Sequence, residues 1–114
     1  MPHTKSLQTY ITRLDQMITD IELFMKDIPS FEIFKQDKKT LNAVITSLTQ
    51  IGEICGHMSK LYPNALDLPY KDIVGMRIIL VHMYHKINTI MIWKIIHSEI
   101  PALKQLIKQH NTKI

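Results

Sequence analysis

The chain has 114 residues, 46% of them hydrophobic, with 14 Lys+Arg against 10 Asp+Glu and a formal net charge of +4. That length holds one modest core and a single domain over 1–114, and the composition excludes a disordered chain. The mild positive charge tolerates a nucleic-acid partner without demanding one, and a lone cysteine, Cys55, excludes both an intramolecular disulfide and a cysteine-based zinc site.

Residues 1–7 carry no apolar signal-peptide region, and apolar runs such as 78–81 are far shorter than the ~18 residues of a membrane span. A cytoplasmic protein without a membrane partner is the expectation. Three glycines, five prolines and no strand-like alternation point to an all-α chain.

The first helix is expected over about 6–27, with Leu7, Tyr10, Ile11, Leu14, Met17, Ile18, Ile21, Phe24, Met25 and Ile28 forming one apolar stripe. Thr4 or Ser6 can cap its start, and Pro29-Ser30 stops it. Residues 31–36, with Phe31 and Phe34, read as a helical turn laid over the core. A second long helix follows over about 38–61, its apolar face made by Leu41, Val44, Ile45, Leu48, Ile51, Cys55 and Met58. Cys55 is expected to be a small buried hydrophobe. Gly52 and Gly56 on this helix allow a neighbouring backbone to approach closely, either inside the monomer or across a dimer seam.

Residues 62–69 form a loop, and Pro69 suits the first turn of a third helix over about 70–85. That helix is apolar nearly all round, so it is expected to be buried on more than one side, one of them against a second subunit. Asn88 is a fair cap for a last helix over about 89–109, with Ile90, Trp93, Ile96, Ile100, Leu103, Leu106 and Ile107 inside. Pro101 should kink it or divide it into two shorter helices.

The third helix carries the chemistry. Arg77, His82 and Tyr84 lie within eight residues of an otherwise apolar run. Arg77 and Tyr84 are seven apart and would share a face of a regular helix, but His82 stands about 140° around the axis from Arg77. Either the helix is distorted near His82, or a second subunit completes the site. A purely structural role is also open, with Arg77 paired to Glu53 in the core and His82 a satisfied core histidine. His57, His85, His97 and His110 are isolated, and the chain has no H-E-x-x-H, phosphate-cradling glycine loop or G-x-S-x-G. No metal or cofactor is expected.

The segment Leu68-Pro69-Tyr70-Lys71-Asp72-Ile73-Val74-Gly75-Met76-Arg77-Ile78-Ile79-Leu80-Val81-His82-Met83-Tyr84 resembles the signature of the HepT-like branch of the HEPN superfamily: Arg, four residues, His, one residue, Tyr. Ile51-Gly52-Glu53 resembles the family's Ile-Gly-Glu, and Trp93 with Ile100-Pro101-Ala102-Leu103 resembles its last helices. The similarity runs over roughly 7–107. It implies an up-down, all-α HEPN bundle that forms homodimers. It further implies a toxin of the HepT/MntA toxin–antitoxin type, a metal-independent RNA endonuclease acting on tRNA or mRNA through Arg77 and His82, with Glu53 in support. The resemblance also implies a partner, an MntA-type nucleotidyltransferase that transfers AMP to Tyr84 and silences the toxin. Two departures stand out: Ile78 where a polar residue often follows the Arg, and Tyr70 where Trp is common. Ile78 keeps open a weakened or inactive helical subunit that binds the nucleotidyltransferase and a nucleotide.

Overall fold

A computed structural model describes residues 6–112. Every regular element among them is helical: α1 (Leu7–Met25), α2 (Phe31–Gln36), α3 (Lys38–Leu61), α4 (Tyr70–His82), a 3-10 turn (Tyr84–Lys86), α5 (Thr89–Lys94), a π turn (Ile95–Glu99) and α6 (Ile100–Thr112). No helix of the described residues is long and apolar enough to cross a membrane.

Side-chain caps decide where the first three helices begin. The Thr9 N–H donates to Ser6 Oγ at 3.2 Å and starts α1. Thr4, the other cap considered, lies outside the described residues. Ser30 starts α2 in the same way, its Oγ accepting from the Ile33 N–H at 3.4 Å. Asp37 alone separates α2 from α3: it ends the first and caps the second, accepting from the Thr40 N–H at 3.0 Å and the Thr40 hydroxyl at 2.8 Å. Those two bonds, the backbone one foremost, hold the Asp37 carboxyl below its ordinary pKa.

α3 is the central helix, flanked by α1 and α4, while α6 lies on α1 and α2 bridges α3 and α5. The core is the stripe Tyr10, Ile11, Leu14, Ile18 and Ile21 of α1 packed on Val44, Ile45, Leu48, Ile51, Ile54, Cys55 and Met58 of α3. α5 and α6 close it with Ile92, Ile95, Ile96, Ile100, Leu103 and Ile107, and Phe34 of α2 is fully buried. The 62–69 loop contributes Leu66 and Leu68, both buried. Pro69 stands one residue ahead of α4 as its cap residue, and its carbonyl accepts from the Ile73 N–H.

Two sequence expectations change, and the choice left open at Pro101 falls on two shorter helices. The helix expected over about 70–85 ends at His82; Met83 leaves helical geometry (φ −123°, ψ 32°), and the 3-10 turn swings the chain back so that α5 meets α2. Ile90 is not inside: it is 49% exposed, because it sits two residues from buried Ile92, about 200° around the helix. Pro101 produces no simple kink. Lacking an N–H, it follows a π turn in which the Ile100 N–H reaches back five residues to the Ile95 carbonyl, so two shorter helices are joined by a widened turn. The His97 Nδ1–H donates to the Trp93 carbonyl at 2.8 Å within that turn, and Trp93 packs against Phe34 and Phe31.

α4 is the exception to the core. In the single chain only Leu80 of this helix is buried, while Ile78, Ile79 and Val81 are 50%, 41% and 45% exposed. Burial on more than one side is therefore not met among the described residues of one chain, since α4 packs chiefly on α3.

Cys55 is fully buried, and loss of water around the thiol pushes its pKa up to about 12. A thiol reagent should therefore leave the native protein unlabelled and react only after denaturation. The folded pKa lies above the ordinary 9.0, so the folded thiol keeps a proton that the unfolded one loses. This contribution to stability is complete below about pH 9 and is lost as pH rises towards 12. Urea midpoints measured over that window should fall more steeply for the wild type than for Cys55→Ala.

Candidate functional site at the seam of α3 and α4

A glycine inside a long helix costs about 1 kcal/mol relative to alanine, so its presence there has to be explained by space. Gly52 explains itself. A Cβ built on it would collide with Arg77 Cβ and would stand 3.1 Å from Arg77 Cγ and 3.2 Å from Cδ. α4 thus approaches α3 so closely that the Arg77 stem lies directly on the α3 backbone. Gly56, one turn on, is looser: its Cβ would meet only Val74 Cγ2, at 3.9 Å. Of the two roles open to this glycine pair, the structure displays the contact within one chain.

Arg77 is half-buried, with its Nε shielded from water and without a hydrogen-bond partner. Glu53 follows Gly52 in sequence but is exposed, and no ion pair joins it to Arg77 among the described residues. The core Arg77–Glu53 pair considered from sequence is not formed, because Glu53 turns to solvent on the flank of α3. Among the described residues the guanidinium charge accordingly has no carboxylate paired with it. A buried polar group left unpaired carries a desolvation cost that an anionic partner from outside would relieve.

His82 is the last residue of α4 and is exposed, so it is not a satisfied core histidine. α4 is continuous from Arg77 to His82, which keeps the two about 140° apart around one axis. The distortion lies one residue later. Tyr84 belongs to the 3-10 turn by its backbone; its side chain lies outside the described part of the structure. One chain therefore places Arg77 in the seam and His82 at the helix end, without bringing them onto one face.

Sequence reasoning missed the surroundings of Arg77. One turn beyond it, the seam opens into a groove of about 430 Å³ lined by Ile45, Thr46, Thr49, Gln50, Leu80 and Val81. The hydroxyls of Thr46 and Thr49 donate to the carbonyls of Asn42 and Ile45, each at 2.9 Å. Helical spacing of Thr46, Gln50 and Glu53 was the available signal, since it sets all three along one flank of α3. A cavity of about 390 Å³ between α1 and α6, roofed by the Glu22–Lys104 ion pair at 2.7 Å, contains none of the motif residues. Tyr70 Oη is also buried without a partner, and burial first, then the nearby Cys55, raises its pKa. Among the described residues no group of three His, Cys, Asp or Glu side chains is placed to hold a metal ion.

Comparison with known proteins bears on this arrangement. A family model described as "Ribonuclease HepT-like" matches residues 14–110. A Thermococcus cleftensis protein named as a probable ribonuclease HepT is 35% identical over 105 residues, covering 88% of this chain and 91% of its own. Two further relatives are provisionally named as RNases. One, from Methanocaldococcus jannaschii, is 30% identical over 89% of this chain and 93% of its own. The other, from Caldanaerobacter subterraneus, is 32% identical over 84% and 88%. No solved structure matches the chain significantly. The helical fold, the Arg77–His82–Tyr84 spacing on and just after α4, and these matches together place the chain in the HepT-like ribonuclease family.

Proposed function

We propose that this protein is the toxin of a HepT/MntA-type toxin–antitoxin system, an endoribonuclease in which Arg77 and His82 work on RNA in a cleft between two copies of the chain. The observation that carries the reading is the guanidinium of Arg77: seated in the α3–α4 seam, half-buried, and paired with no carboxylate among the described residues. A permanent cation so placed suits a phosphodiester.

The chemistry needs no metal. The ribose 2′-OH attacks the adjacent phosphorus while a ring nitrogen of neutral His82 takes its proton. Negative charge grows on the phosphoryl oxygens, and Arg77 stabilises it. The bond from phosphorus to the 5′-oxygen then breaks, and the imidazolium returns its proton to that oxygen. The products are a 2′,3′-cyclic phosphate and a 5′-hydroxyl. Glu53, exposed beside Gly52, is suited to a supporting role at the rim.

Arg77 and His82 diverge on one helix, so two copies are needed for one complete site. The exposed apolar residues Ile78, Ile79 and Val81, together with Met83 at 44% exposure, flank them and supply a surface for self-association. Tyr84, in the turn that follows α4, is the acceptor for AMP from an MntA-type nucleotidyltransferase. An AMP phosphate there would compete with RNA for Arg77 and neutralise its field. The RNA is tRNA or mRNA.

One observation favours a second reading, a non-enzymatic subunit of the nucleotidyltransferase: Ile78, beside Arg77, offers half its surface to solvent and has nothing with which to orient RNA.

Arg77→Met and His82→Ala should each lower cleavage of total RNA by the purified protein at least about a hundredfold. Neither should shift the melting temperature by more than a few degrees, because neither side chain forms an ion pair among the described residues. Undiminished cleavage by folded His82→Ala would sink the nuclease assignment. No products from the wild type at any concentration, with tight nucleotidyltransferase binding, would instead establish the second reading. Ile79→Glu should convert a sedimenting dimer to monomer and abolish cleavage, whereas an active monomer would remove the shared cleft. Incubation with the nucleotidyltransferase and ATP should add AMP mass to the wild type and none to Tyr84→Phe.

A further inference from the structure

We infer that Gly52 is a positioning residue for Arg77: by lacking a Cβ it seats the arginine stem sterically, which fixes the guanidinium while leaving its charge unspent for RNA phosphate. The inference rests on the reading of Arg77 as the phosphate-binding group.

Two ways exist to hold a long, flexible arginine in one place. A carboxylate can grip the guanidinium, but that neutralises the charge a phosphate would use. Packing can grip the stem, and the charge then stays available. This chain uses the second. Arg77 Cβ, Cγ and Cδ all crowd the position that a Gly52 side chain would occupy, and no ion pair to Arg77 is formed among the described residues. The contact begins at Arg77 Cβ, so no change of rotamer can relieve an added methyl group. α4 itself would have to move away from α3 and carry Arg77 with it. Catalytic groups lose rate steeply when displaced by about an ångström.

The other glycines serve as controls within the same fold. A Cβ on Gly56 would make ordinary contact with Val74, and one on Gly75 would meet nothing within 4 Å. Only Gly52 lies under a side chain of the motif.

The test uses the full chain and a short 2′-O-methyl oligoribonucleotide, which cannot be cleaved because its nucleophile is blocked. The logarithm of its affinity is measured against the logarithm of salt concentration; each phosphate contact on a single strand contributes about 0.7 to the slope. Arg77→Met should lower the slope by about that amount. Gly52→Ala should lower it equally, Gly56→Ala should leave it unchanged, and Gly52→Ala/Arg77→Met should fall no further than Arg77→Met alone. On cleavable RNA, Gly52→Ala should reduce kcat/KM at least about tenfold.

A lowered slope in Arg77→Met with a wild-type slope and kcat/KM in Gly52→Ala would overturn this inference and leave the nuclease assignment standing. An unchanged slope in Arg77→Met would overturn both. Should Gly52→Ala not fold, an arginine moved off the seat decides: Arg77→Met/Val81→Arg should recover neither slope nor kcat/KM, and recovery of both would overturn the role of Gly52.

Discussion

The close approach of α4 to α3 over Gly52 is the contact on which the rest of the structure turns. It sets the distance between two helices and the direction in which Arg77 leaves α4. It also determines what kind of arginine this is. An arginine anchored by a core carboxylate would be a structural element with its charge already matched. Here Glu53, the acidic partner considered from sequence, faces solvent, and the arginine is held by its hydrocarbon stem. The cost of the arrangement is a buried Nε without a partner, tolerable in a protein whose core lies elsewhere.

That core is made by α1 and α3 with α5 and α6, where Ile, Leu and Met side chains meet with little exposure. α4 contributes only Leu80 to the buried residues. Its position as an outlying helix explains why so apolar a segment remains exposed in one chain, and why its motif is accessible. A helix packed all round would hide Arg77 and His82. One packed on a single side leaves His82 exposed together with Ile78, Ile79 and Val81, so the helix that carries the motif also has apolar area left to bury.

How far the sequence revealed this depended on how local the determinant was. The bounds of α2 and α3 were readable because their determinants are local: Pro29 ends what precedes them, and Ser30 and Asp37, as the structure shows, cap the two helices from adjacent residues. The stripe of α1 and the burial of Cys55 followed from helical spacing. The end of α4 was not readable: Met83 leaves the helix without a proline or glycine to mark it, because the chain turns there to bring α5 onto α2. Pro101 was visible as a disturbance, but a π turn and a kink both accommodate a missing N–H, and residue spacing alone does not choose between them. Ile90 was misplaced because it shares the composition of its buried neighbours and differs only in which face the fold turns outward.

The sequence by itself determined the all-α class, the helix order and the motif Arg77, His82 and Tyr84, since caps, periodicity and residue chemistry are properties of neighbouring residues. It also marked Gly52 as a place of close approach. Only the tertiary structure decided that Arg77 is the residue lying on that glycine, that Glu53 does not neutralise it, and that α4 leaves one side open. Those are relations between segments separated in the chain, and their outcome depends on how closely two helices pack, a distance no local pattern encodes.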